Sequence, residues 1–212
     1  MPDSVIRYEL PPQGITLLGY IARRMHKTRL LLPVAGMLAA GNSAAGLEQV
    51  ARYAAAASVS YGPAYYQPRF NRPGDELIES DPSTGWDVWA RLESDSPHYL
   101  IVYRAVAPDG SAVFRGREEI TGTTVGLRGL GMPAPSQFDF VCGAYQAKLT
   151  GVITSELALS LFGRTRIRAY GFLNLADNAG NSGKLMLDRS GRLTIEINQN
   201  SPVVYDLSED AA

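Results

Sequence analysis

Three arginines, Arg164, Arg166 and Arg168, alternate with Thr165 and Ile167. At period two they share one face of a strand and spread over about 13 Å at ~3.3 Å per residue. Guanidinium groups are always charged and match carboxylate or phosphate oxygens two at a time, so the row suits an anionic group. Arg115 and Arg117 repeat the spacing on a second predicted strand. If the two strands are neighbours, the arginines form one basic patch. The plainer expectation is a solvated outer face with Asp and Glu partners across strands. Tyr65 and Tyr66 head a second group, with Tyr61 and Phe70 interleaved with Arg69 and Arg72. Such rings can stack on planar ligands. The simpler reading is a Pro-rich linker whose rings dock on the domain surface.

Other chemistries fare worse. A serine nucleophile needs a base, yet the chain has only His26 and His98, far apart, and no serine in a nucleophile-elbow pattern. Two separated histidines and one cysteine exclude a multi-His or multi-Cys metal site as well as an internal disulfide. Cys142, in a strand-like run, reads as a small apolar side chain. Glu118 and Glu119 are adjacent on a strand and point to opposite faces. Asp139 and Glu156 fall on strands that can be neighbours. The glycines at 122, 126, 129 and 131 do not form a nucleotide-binding pattern. No cofactor and no metal are expected.

Composition narrows the partners. The chain is 212 residues long, 45% hydrophobic, with a net charge of −1. That charge supplies no basic field for nucleic acid. The apolar run Leu30–Ala40 carries Pro33 and is far shorter than the ~20 residues a spanning helix needs, so no membrane span is expected. Met25 to Gly46 has the charged, apolar, small-residue order of a secretory signal. A cytoplasmic location is favoured, with export the alternative if that stretch acts as a signal.

The elements that must position these residues are mostly strands. Leu149 to Asn198 reads as four consecutive antiparallel strands. Ile153, Leu157, Leu159 and Leu161, then Ile167, Ala169, Gly171, Leu173 and Leu175, keep one apolar face. Gly163, the run Asp177–Asn181 and Asp188–Gly191 supply the turns. Upstream, Gly85–Leu92, Tyr99–Val106 and Ser111–Ile120 alternate in the same way, the last two joined across Ala107-Pro108-Asp109-Gly110. Thr121–Ser136 reads as a Gly- and Pro-rich loop. Toward the N-terminus, Ser4–Leu10 is extended. Ile15–Thr28 is helix-compatible, with Ile15, Leu18, Ile21 and Met25 on one face. Ala44–Ser58 is an Ala-rich helix that Gly41-Asn42-Ser43 separates from the apolar run before it.

The expected fold is mainly β (α+β): an antiparallel curved sheet or β-barrel of about eight strands with an N-terminal helical region. Residues 1–60 form an arm and helices that pack on the sheet or a partner, 61–84 a linker, 85–200 the β domain and 201–212 a tail. Small residues along the strands, including Gly143, Ala144, Ala147, Ala158, Ala169 and Gly171, permit curvature or leave room inside. The leading functional expectation is a non-catalytic binding or accessory protein whose barrel-like domain holds an apolar or amphipathic, lipid-like small molecule. The alternatives are an assembly subunit, joining a protein partner or its own copies through N-terminal helices and Pro-rich arm, and a cofactor-free isomerase or cyclase.

Overall fold

The structure is a computed structural model that describes residues 29–61, 73–74, 76–80, 84–94, 98–121, 132–159 and 165–207. Ser4–Leu10, Ile15–Thr28, Tyr65 and Tyr66 lie outside the described residues.

A short 3-10 turn, Arg29–Leu31, leads into helix α1, Leu32–Ala39, with Pro33 in its first turn. Proline suits that position because its missing N–H would have had no helical partner. Gly41, at φ +75°, ends the helix. Asn42 then caps helix α2, Ser43–Tyr61, accepting the Ala45 N–H at 3.1 Å. The expected break at Gly41-Asn42-Ser43 is therefore present, with Gly41 as the stop and Asn42 as the cap.

Ten strands follow: β1 Glu76–Ser80, β2 Asp87–Ser94, β3 His98–Val106, β4 Ala112–Thr121, β5 Met132–Cys142, β6 Tyr145–Leu159, β7 Thr165–Asp177, β8 Ser182–Leu187, β9 Arg192–Ile197 and β10 Val203–Asp206. They form one antiparallel meander in which each strand pairs with its neighbours in sequence. Among the described residues β1 and β10 are free edges, so the sheet is open rather than a closed barrel. The expected mainly antiparallel fold with N-terminal helices is what is found.

Details differ from the sequence reading. Strand β1 lies inside the span read as linker, and β10 inside the span read as tail. Both are edge strands of four or five residues beside prolines, too short to show a period. The strand-like run that holds Cys142 is a hairpin that turns at Gly143, which sits at φ +58° between β5 and β6. The last five residues of the Gly- and Pro-rich stretch, from Met132 onward, belong to β5.

One face of the sheet carries the core. Val88 and Ala90 of β2, Ala112 and Phe114 of β4, Phe138 and Phe140 of β5, Leu149 and Ile153 of β6, and Leu173 and Leu175 of β7 occupy alternate positions and are buried. Helix α2 lies against them, with Leu47, Val50, Ala51, Ala54, Ala55 and Ala57 fully buried. The sheet wraps around this helix. The Tyr53 ring stands edge-on to Phe114 of β4 at 4.6 Å, while the Arg52 guanidinium lies 4.0 Å over the Tyr205 ring of β10. A flat sheet would separate those strands by about 29 Å, six spacings of ~4.8 Å. Two adjacent residues of one helix touch both only because the sheet bends.

Candidate ligand-binding site

The inner face has a covered part and an extended part. The named contacts of α2 run from the row Phe114–Phe140–Ala147 to the row Ile153–Gly171–Leu187–Leu193–Tyr205. Helix and sheet are pinned at two corners. At one, Asn181 donates to Ser43 Oγ and to Asp177, and the Tyr145 hydroxyl also donates to Asp177 at 3.1 Å. Burial, with the Asp177 carboxylate beside it, pushes the Tyr145 phenol up. At the other, the Tyr205 hydroxyl donates to Glu48. Burial, followed by the Glu48 hydrogen bond, pushes the Tyr205 phenol up to about 12.

Among the described residues β6 and β7 run furthest beyond the last of those rows. β5 reaches only to Met132, opposite Ser155, and β8 stops at Leu187, opposite Gly171. From Glu156–Leu159 and Thr165–Arg168 the two strands pair as a ribbon. At its root Gly171, at φ +149°, lets β6 and β7 approach closely: a Cβ there would sit 2.1 Å from the Val152 carbonyl oxygen. Ile153 and Ala169, inner positions at that root, are buried, as is Ser136 on the row before.

The arginines fall in two groups. Arg168 stands opposite Glu156 and Arg166 opposite Ala158, both on the β6–β7 ribbon. Their side chains, and Arg164 altogether, lie outside the described residues. Arg115 and Arg117 are exposed on β4 with Asp139 and Gln137 as cross-strand partners. β5 and β6 stand between β4 and β7, a separation of about 14 Å at ~4.8 Å per strand. The condition for a single patch, neighbouring strands, is not met.

Nothing described assembles a catalytic pair. Asp139 pairs with Lys148 in the β5–β6 register, so Glu156 lies about 26 Å further along β6 at ~3.3 Å per residue. Among the described residues the buried polar side chains are Ser58, Ser136 and Thr154, none of them a carboxylate. Cys142 is a free, partly buried thiol, pushed up by desolvation and then by the nearby Asp109 charge. Among the described residues no group of three His, Cys, Asp or Glu side chains is placed to hold a metal ion. In the same span no helix is long and apolar enough to cross a membrane.

Sequence reasoning missed the two residues that fasten the helix to an edge, Glu48 and Tyr205. The two are 157 residues apart in sequence, and only the bend brings them together.

An open antiparallel meander, bent round a helix packed in its concavity, defines the class of architecture. No protein-family model matches the chain, and no curated protein matches it. Among solved structures the chain is similar to the Osh1 ORD domain in complex with cholesterol, with a TM-score of 0.54 and 15% identity over 89% of this chain. It is likewise similar to the Osh1 ORD domain in complex with ergosterol, with a TM-score of 0.52 and 15% identity. The chain spans 46% of the length of each of those structures. At this identity the likeness is one of fold.

Proposed function

We propose that the protein binds an apolar or amphipathic small molecule of sterol-like size without transforming it. The ligand lies against the inner face of the sheet at the root of the β6–β7 ribbon, beside Ile153, Ala169 and Gly171. One observation carries this reading: among the described residues the two longest strands run on past the helix-pinned rows, with the apolar Ile153 and Ala169 at the root. A fold shared with domains bound to cholesterol and ergosterol supports it. Small residues alone do not, because α2 takes up much of the room they leave.

In this reading Arg166 and Arg168, with Arg164 beside them in sequence, meet the anionic end of an amphipathic ligand or of the surface that delivers it. Arg115 and Arg117 form a separate, weaker anion contact on the outer face. Tyr65 and Tyr66 contribute rings to the ligand or to a partner.

Native mass spectrometry of the purified full chain tests the proposal. A co-purifying apolar molecule, or a stoichiometric mass shift on adding cholesterol, supports it. A clean protein mass with no shift overturns it.

A further inference from the structure

The outer face of the sheet carries two apolar rows. Val106 of β3, Val113 of β4 and Val141 of β5 stand side by side near one end of their strands. Further along the face, Val152 of β6, Phe172 of β7 and Met186 of β8 form an outer stripe, which Val204 of β10 continues past Thr194. Cations lie between the rows. Next to the valines, Trp89 pairs with Arg104, Arg104 with Arg115, Arg115 with Asp139, and Asp139 with Lys148. Two residues on from Arg115, Arg117 stands between Val102 and Gln137.

Other cations of this face have their own acids. Arg91 meets Glu76 at 3.6 Å, and Lys184 meets Glu196 at 3.5 Å. Among the described residues Arg104, Arg115, Arg117 and Lys148 have no such partner, and all four are exposed. Arg104 and Arg115 stand directly opposite each other, an arrangement of like charges that costs stability. The carboxylate in their midst, Asp139, accepts instead from the Gln137 amide at 2.9 Å. Asp87, on the β2 side, accepts from the Ser80 hydroxyl at 2.6 Å. The Arg104 guanidinium lies over the Trp89 ring, 5.1 Å from its centroid, and that attraction fixes where it points. Unmatched positive charge is thus gathered on one face of a chain whose net charge is −1.

We infer that this cluster and the valine row beside it dock an extended acidic segment of a partner protein. The inference deepens the reading of Arg115 and Arg117 as an anion contact and does not depend on the sterol site. Three observations favour that occupant. First, three of the four cations are arginines, whose forks take carboxylates two oxygens at a time. Arg115 and Arg117 are about 7 Å apart at ~3.3 Å per residue, the spacing of alternate side chains on an extended segment. Second, Trp and Arg beside a row of apolar side chains are the residue types enriched at protein interfaces. Third, the face is convex, because the sheet bends round α2 on its other side. It offers no cleft to enclose a free phosphate, and a flat bilayer meets only part of the cluster. An extended segment can follow the curve.

Fluorescence anisotropy on the purified full chain tests this, with a labelled peptide of four Glu-Val repeats as the probe and one of four Gln-Val repeats as its control. The Glu-Val peptide should bind saturably and the control should not. R104Q/R115Q/R117Q should weaken binding about tenfold or more. Its melting temperature should stay within a few degrees of wild type, because the three side chains are exposed. R104K/R115K/R117K keeps the charge and loses the forks, and should regain only part of the affinity. No binding by wild type, equal binding of both peptides, or full recovery with lysine would each overturn the inference. Sedimentation with phosphatidylserine vesicles that R104Q/R115Q/R117Q abolishes, with no peptide binding, would overturn it too and assign the cations to a lipid surface. Neither assay contains sterol, so a failure here is distinct from a failure of sterol binding.

Discussion

The two ends of the inner face use the same kind of residue differently. Under α2, small side chains on the helix and large ones on the sheet interlock: Ala54, Ala55 and Ala57 are fully buried near Tyr53, Phe114 and Phe138. Phe114 and Phe138 stack at 5.8 Å, and Tyr53 meets Phe114 edge-on. At the ribbon root, the sheet itself is small, with Ala169 and Gly171, and among the described residues only two strands continue. Small residues on a helix permit close packing; a glycine on paired strands permits close approach of their backbones, as at Gly171. The first end holds the fold together; the second is where the proposed ligand would lie.

The contrast can be broken in order of expected effect. Phe114→Ala removes the hub of the aromatic cluster, and should cost about 3–5 kcal/mol of unfolding free energy in denaturant titration. A cost below ~1 kcal/mol would mean that the covered end is not the stabilising one. Ala169→Trp at the ribbon root should weaken sterol binding tenfold or more. Its stability cost should stay within the ~1–3 kcal/mol typical of overpacking. Unchanged affinity would move the site elsewhere. The triple change of Arg164, Arg166 and Arg168 to Gln should leave the melting temperature within a few degrees. It should reduce transfer from anionic vesicles severalfold, as measured by loss of a fluorescent sterol from the donor. An intact rate would return the row to a solvated face.

The smallest effect concerns the pins. Tyr145 and Tyr205 both titrate above the usual tyrosine range in the folded chain. A group whose folded pKa is raised stabilises fully below its unfolded pKa, ~10 for tyrosine, and loses that contribution as pH climbs through the folded value. Thermal stability should therefore fall from about pH 10 upward, over a range that for Tyr205 ends at about 12. Tyr145→Phe/Tyr205→Phe should start lower and fall less over that range. Parallel melting curves for the two proteins would show that the pins carry no pH dependence.

The sequence was most legible where structure is local. Period-two alternation from Leu149 to Asn198, with Asp188 and Gly191 at a turn, corresponds to β6–β9. Asp188 there accepts from the Ser190 hydroxyl and the Ser190 and Arg192 amides, and the Ser190 hydroxyl hydrogen bond leads in holding its carboxyl below the ordinary range. Asn42 and Gly41 marked the helix boundary for equally local reasons. Register and curvature were not legible, because they belong to pairs far apart in sequence. No local signal announces that Arg115 and Arg168 are separated by two strands, or that Arg52 reaches β10 while Tyr53 reaches β4. Edge strands β1 and β10 escaped because a few residues beside prolines show no period. The outer stripe was hidden for a related reason: Val152, Phe172, Met186 and Val204 are single apolar residues on four strands, and only the register lines them up.

The most direct test of the binding account is a titration of the purified full chain with a fluorescent sterol such as dehydroergosterol. The account predicts saturable binding at one molecule per chain, displaced by cholesterol. Ala169→Trp should weaken that binding and F172E/M186E should leave it unchanged. A signal that never saturates, or binding that Ala169→Trp leaves intact, would contradict it.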